Sequence, residues 1–177
     1  MSKKYELTEE CVVTVFGKEL FRIKATRDFG NVKSGDLGGF IASEENLSQD
    51  GNAWVDGNAR VYGDAWVGGN ARVYGDARVG GNAWVGGNAW VYGDADYSTV
   101  SNFGSENRTT TFTLDENKEI KVRCGCFYGT LDEFRAKVKE THGNTYYAQE
   151  YLIIADLMEL RFENRNNQSK EKSDVHS

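Results

Sequence analysis

The residues best suited to chemistry recur at one spacing. Trp54, Arg72 and Trp90 lie eighteen apart, and Asp56, Tyr74 and Tyr92 repeat that spacing two positions later. A guanidinium between two indoles, beside two phenols, can stack on a base and pair with a phosphate. A second set holds Arg60, Arg78 and Asp96, with Tyr62, Gly80 and Ser98 beside them. A third pairs Trp66 with Trp84, next to Gly68 and Gly86. Trp, Tyr and Arg are also the residues that interfaces favour, so subunit packing is the plainer use of these columns.

Other candidates are weaker. Cys124-Gly125-Cys126 puts two thiols on one face of a strand. A metal needs two more ligands; only His142 and Cys11 are at hand, and neither spacing is diagnostic. Two small hydrophobes packed under helices account better for the pair. Asp132 and Glu133 read as helix-start carboxylates. The stretch Gly35-Asp36-Leu37-Gly38-Gly39-Phe40 lacks the Lys-Ser/Thr and helix of a phosphate loop. No Ser/His/Asp or Cys/His arrangement emerges, and no cofactor, metal or catalytic residue is expected.

The columns come from a repeat. Residues 51–98 are eight six-residue units without an insertion: Gly first, Asn or Asp second, Ala third, Val fifth in seven of the eight. A period this strict outranks local propensity. Positions three and five share parity, so Ala and Val point inward and positions four and six outward. Gly-Asn and Gly-Asp tolerate left-handed backbone and make the corners. Three such sides close a coil of eighteen residues, so eight units make slightly under three coils, each covering the apolar face of the next. All four tryptophans then lie outside, more aromatic area than a monomer ordinarily leaves in water.

Val61-Tyr62-Gly63-Asp64-Ala65-Trp66 resembles the unit of the hexapeptide-repeat family, the left-handed parallel β-helix, at its aliphatic and small positions; Tyr62 departs from it. The resemblance implies left-handed winding and trimers joined through flat faces. Many members are acyltransferases with a groove histidine as base. Here His142 and His176 both lie outside the repeats, so that residue has no counterpart and acyl transfer is disfavoured.

The flanks read as appendages. Val12–Phe16 and Leu20–Ala25 form a hairpin about a type II′ turn at Gly17-Lys18. Residues 1–50 thus make a hairpin and cap, with the first irregular units near residue 39, because Ile41, Leu47 and Ala53 are six apart. Residues 99–108 read as a polar linker, and 109–162 as a ββαα unit suited to a lid or an oligomerisation element. Within it, 109–114 and 119–127 form a hairpin. Thr130 and Glu133 make a capping box for a helix burying Leu131, Phe134 and Val138. A second helix, capped by Thr145, buries Tyr147, Tyr151, Ile154 and Met158. Leu152, Ile153, Leu157 and Leu160 widen its stripe, so it packs on two sides. Residues 163–177 read as a disordered tail. The fold class is mainly β: a short left-handed parallel β-helix with an N-terminal hairpin cap and a C-terminal ββαα unit.

A net charge of −6 over 177 residues argues against general nucleic-acid or membrane-surface binding. Three cysteines without a secretory signal suit the cytoplasm of a bacterial host. The layout resembles small hexapeptide-repeat accessory proteins of phage and prophage genomes. That resemblance implies a small accessory protein and no defined activity. The Trp54-Arg72-Trp90 column with Tyr74 and Tyr92 points to a non-enzymatic oligomeric binding protein, trimer favoured, that antagonises a host factor, with sequestration of an anionic nucleotide signal between subunits as its most concrete form. Its expected partners are itself and either a host protein or a small nucleotide. The expected binding or interface residues are Trp54, Arg72, Trp90, Tyr74, Tyr92, Arg60, Arg78, Tyr62, Trp66 and Trp84. The alternatives are a protein–protein inhibitor or structural oligomer without a small ligand, and a degenerate acyltransferase whose base is His142 of a neighbouring subunit.

Overall fold

The computed structural model describes residues 3–93 and 96–174. Its centre is a stack of two-residue strands, β4 (Trp54–Val55), β5 (Arg60–Val61), β6 (Trp66–Val67), β7 (Arg72–Val73), β8 (Arg78–Val79), β9 (Trp84–Val85) and β10 (Trp90–Val91). They are preceded by β1 (Tyr5–Val13), β2 (Glu19–Ala25) and β3 (Leu37–Ile41). They are followed by β11 (Tyr97–Phe103), β12 (Arg108–Leu114), β13 (Ile120–Cys124), β14 (Phe127–Thr130), α1 (Leu131–His142) and α2 (Tyr146–Asp174).

Each short strand pairs in parallel with the strand eighteen residues on: Trp54 with Arg72, Arg72 with Trp90, Arg60 with Arg78 and Trp66 with Trp84. The backbone of positions four and six reaches the next coil, as in Arg72 N to Ala89 O and Tyr74 N to Val91 O, both 2.8 Å. Alanines 53 to 89 and valines 55 to 91 are at most 1 % exposed and form one apolar column. Each opening glycine from Gly51 to Gly87 has φ between +61° and +68°, the left-handed corner at which a side chain is strained. At the corners, Asn52 Nδ2 donates to Asn70 Oδ1 and Asn70 Nδ2 to Asn88 Oδ1, both at 3.2 Å.

The stack begins earlier than the six-residue units. Phe40 and Ile41 pair with Arg60 and Val61, and Leu47 bridges Val67. These spacings are twenty residues, so Ala53 is not in register with Ile41 and Leu47. The two extra residues lie between Leu47 and Val55, which are eight apart where their partners Val67 and Val73 are six. Just before them, in the 3₁₀ turn Glu44–Asn46, Asn46 donates Nδ2 to Gly63 O and Ala65 O. The first hairpin extends the same sheet, in the order β1-β2-β3-β5-β8. It starts at Tyr5 rather than Val12. Its turn is not type II′: Gly17 N donates to Thr14 O, Thr14 N to Lys18 O, and Gly17 stands last in the turn with φ +78°.

The ends of the stack carry backbone groups with no further coil to meet, and side chains meet them. At the first end, Tyr5 donates its hydroxyl to Leu47 O (2.7 Å) and Lys4 its ammonium to Ala53 O (2.9 Å). At the last, Tyr97 donates to Arg78 O and accepts from Gly80 N, Thr111 Oγ1 accepts from Trp84 N, and the Tyr128 hydroxyl accepts from Asn88 N. The repeat therefore stops short of residue 98, because Tyr97 already belongs to β11.

The C-terminal unit is a four-stranded antiparallel sheet, β11-β12-β13-β14, under two helices. The expected linker at 99–108 is most of β11 and the turn into β12; its Thr99 and Val100 pair with Thr111 and Thr110 across the hairpin. Thr130 Oγ1 accepts from Glu133 N and Glu133 Oε2 from Thr130 N, closing the box that starts α1. Helix α2 buries Ala148, Tyr151, Ala155, Met158 and Phe162. Among the described residues it packs within the chain on this side alone. Ile153, Leu157 and Leu160 are 67 %, 55 % and 57 % exposed. The expected disordered tail is helix to Asp174, and 175–177 lie outside the described residues.

Candidate ligand grooves

Arg72 sits on β7, the middle strand of the sheet β10-β7-β4, with Trp54 and Trp90 as in-register neighbours. The three do not form an open ladder. Trp54 is 2 % exposed, held edge-on by Phe29 (5.4 Å between ring centres) and Tyr5 (6.5 Å). The loop that carries Phe29 also brings Asn31 over β7, where its Oδ1 accepts from Arg72 Nη2. Gly30 allows that approach: a Cβ there would lie 3.1 Å from the guanidinium. What remains open is a groove of about 320 Å³ lined by Asn31, Arg72, Tyr74, Trp90, the carboxamides of Asn52, Asn70 and Asn88, and Glu116. Tyr74 stacks on Tyr92 at 5.0 Å and 17°, and burial raises its hydroxyl pKa. One carboxylate and a guanidinium already bonded to Asn31 suit a neutral polar guest better than an anion.

The Trp66–Trp84 face is not flat and open either. Gly68 is bare because the Trp66 indole lies on it: a Cβ there would overlap the ring at 1.9 Å. The two indoles meet edge-to-face at 5.2 Å, and Arg123 of β13 covers Trp84 with its guanidinium 4.2 Å from the ring centre. The expectation of four outward tryptophans therefore fails at Trp54, which is buried, and in part at Trp66 and Trp84, which the chain partly covers itself. The expected columns assumed bare outer faces, whereas both flanks fold back over them.

The remaining face differs in charge. Here the turn of the first hairpin overhangs β5 and β8, leaving a cleft of about 350 Å³ lined by Thr14, Val15, Phe16, Lys18, Arg60, Tyr62, Gly63 and Arg78. Arg60 and Arg78 are in-register partners on adjacent strands. The Tyr62 ring lies against Gly80, where a Cβ would come within 2.6 Å. Val15 and Phe16 are 95 % and 93 % exposed at the hairpin tip. Among the described residues, three cations, two aromatic rings and no carboxylate line this cleft, in a chain whose net charge is −6.

The comparisons with known proteins bear on the repeat. The family model YdcK Beta solenoid repeat matches residues 57–69 and 71–87. This is a β-solenoid repeat protein. The matched segments carry the solenoid strands β5, β6, β7, β8 and β9, and thus Arg60, Arg72 and Arg78. No curated protein matches the chain.

Of the residues expected to share a site, Arg72, Tyr74 and Trp90 meet in one groove and Arg60, Tyr62 and Arg78 in another. Sequence reasoning missed the Asn52–Asn70–Asn88 ladder, although its eighteen-residue spacing is the same signal as that of the tryptophans. It also missed Asn31, Glu116, Lys18 and Phe16, which reach the solenoid from outside the repeat and carry no periodic signal. Cys124 packs against the second core while Cys126 is exposed, because Gly125, at φ +57°, ends the strand between them. His142 stacks on Tyr151 at 5.5 Å in the C-terminal unit, and His176 lies outside the described residues. Among the described residues no helix is long and apolar enough to cross a membrane, and no group of three acidic, Cys or His side chains is placed to hold a metal.

Proposed function

We propose that this protein is a non-enzymatic binding protein whose ligand is an anionic aromatic small molecule of nucleotide class, held in the cleft between the hairpin tip and the Arg60–Arg78 face. The observation that carries the reading is the lining of that cleft: Lys18, Arg60 and Arg78 with Tyr62 and Phe16, and no acidic side chain among the described residues. Guanidinium groups pair with phosphate oxygens and the rings offer stacking partners for a base. The volume is at the small end of ligand pockets, the range of one nucleotide rather than a long oligomer. An overall negative chain with a local cationic cleft would admit a small anion while discouraging extended nucleic acid.

On this reading, the left-handed hexapeptide winding, the phage or prophage origin and the sequestration of a host signal are parts of the same proposal, and the groove lies within one chain rather than between subunits. The test is isothermal titration with a panel of mononucleotides and cyclic dinucleotides, native chain against Arg60→Ala/Arg78→Ala. At least one nucleotide binds the native chain, affinity falls as salt rises, and the double variant binds at least about tenfold more weakly, equivalent to roughly 1.4 kcal/mol. Arg72→Ala leaves that binding within about threefold, because Arg72 lies on another face. Binding that survives the double variant, or is lost with Arg72→Ala alone, removes the assignment.

A further inference from the structure

Helix α2 has two apolar sides, and its own chain covers only one. Ala148, Tyr151, Ala155, Met158 and Phe162 face the sheet and α1. Directly opposite stand Ile153, Leu157 and Leu160, with Tyr146 (60 % exposed) further up the same line. Their spacing of seven, four and three is that of alternating d and a positions of a heptad, with Tyr146, Ile153 and Leu160 at d and Leu157 at a. The next a position is Asn164, which is exposed. The a position before Leu157 is Glu150, which does not compete for the seam, because its Oε2 is turned back to accept from Gly104 N at 2.9 Å.

Charge then selects the occupant. The seam is flanked on one side by Asp156 and Glu163, the g positions, and on the other by Arg161, an e position. Two copies side by side in the same direction bring Asp156 of each beside Arg161 of the other, because g meets the e position five residues on. Asp156 also accepts from Arg135 of its own chain at 2.7 Å while its side chain stays 70 % exposed. In the opposite direction g meets g and e meets e, so Asp156 and Arg161 do not pair. An asparagine at a is the device that holds such a helix pair to two strands in one register. We infer that α2 is the interface of a parallel two-fold homodimer, with Ile153, Leu157 and Leu160 packed against their counterparts and Asn164 paired with Asn164 across the axis.

The surface lies on the C-terminal unit, away from the cleft of the first hairpin, so this inference stands or falls independently of the ligand. The test is sedimentation equilibrium on the full chain over a concentration series, with the Ile153→Asp/Leu157→Asp variant beside it. Both replaced side chains are exposed in the single chain, so circular dichroism of the variant stays native. The native chain sediments at twice its 19.8 kDa mass, and the variant as a monomer at every concentration that dimerises the native protein. Direction is read from Leu160→Cys: in a parallel pair position 160 faces itself and the variant crosslinks under mild oxidation beyond the native-cysteine background, whereas an antiparallel pair sets it near position 153. A native monomer, a trimer, a dimer indifferent to the double variant, or a Leu160→Cys chain with no added crosslink would each overturn the inference.

Discussion

An ammonium buried in the N-terminal cap sets a pH signature for the protein. Lys4 is fully buried, with its Nζ 2.9 Å from Ala53 O and 5.0 Å from the centre of the Phe29 ring. Burial first, then the nearby charges of Arg27 and Arg72, lower its pKa from 10.5 to about 8. The sign follows from proton counting: above pH 8 the folded chain has released a proton that the unfolded chain keeps until about 10.5, so folding stability gained at Lys4 grows through that window and is lost as pH falls through 8. Tyr5, whose hydroxyl burial pushes upward, opposes this only once unfolded phenols ionise, near pH 10. The denaturation midpoint of the native chain is therefore expected to rise from pH 8 to pH 10 relative to Lys4→Gln, in which that titration is gone. Equal slopes would show that Lys4 does not titrate there. Lys4 as a core residue was not legible in the sequence. A lysine in a charged opening segment reads as solvated, and only the fold reveals that the first coil leaves Ala53 O in need of a donor.

At the scale of the element, the corner glycines differ in what surrounds them. Gly51 has φ +68°, and a Cβ there would lie 2.5 Å from Gly69 O in the next coil, whereas Gly81, at φ +64°, has nothing within 4 Å of that position. Gly81→Ala is expected to cost about 1 kcal/mol, the strain of a left-handed alanine. Gly51→Ala adds a backbone clash and should cost about 2–4 kcal/mol, since the stack must part to relieve it. Urea midpoints of the two variants check the ordering, and equal losses would mean that coil spacing is looser than the structure has it. The coils themselves are plain in the sequence, because a six-residue period with inward Ala and Val admits few other solutions. The capping box at Thr130 and Glu133 is equally local and equally readable. The turn at Gly17 is less so: a Gly-Lys pair suits either of two turns, and which one closes depends on the strand register. Helix α2 misleads for a related reason. Apolar residues on both of its sides cannot say which side meets the chain's own core, and Tyr147 and Ile154 proved less buried than Ala148 and Ala155.

At the scale of the whole molecule, the C-terminal unit acts as a stopper. Thr111, Tyr128 and Tyr97 meet backbone groups of the last coil, and Arg123 covers Trp84. A chain ending at Gly93 would leave that coil as a bare parallel edge, a template for another chain. It is expected to form larger species by light scattering under conditions in which the full chain does not; a dispersed, folded fragment would show that the unit is not needed as a cap. This division also separates what the sequence determined from what it did not. Periodicity alone determined the stack, its inward residues and the eighteen-residue columns, because each coil repeats one local geometry and sees only its neighbours. Tertiary structure alone decided which columns stay open. Phe29 and Asn31 close over Trp54 and Arg72, Arg123 closes over Trp84, and the hairpin tip arches over Arg60 and Arg78 without filling the space beneath. Those contacts join residues tens of positions apart, and no local period encodes where a non-repeating flank comes to rest.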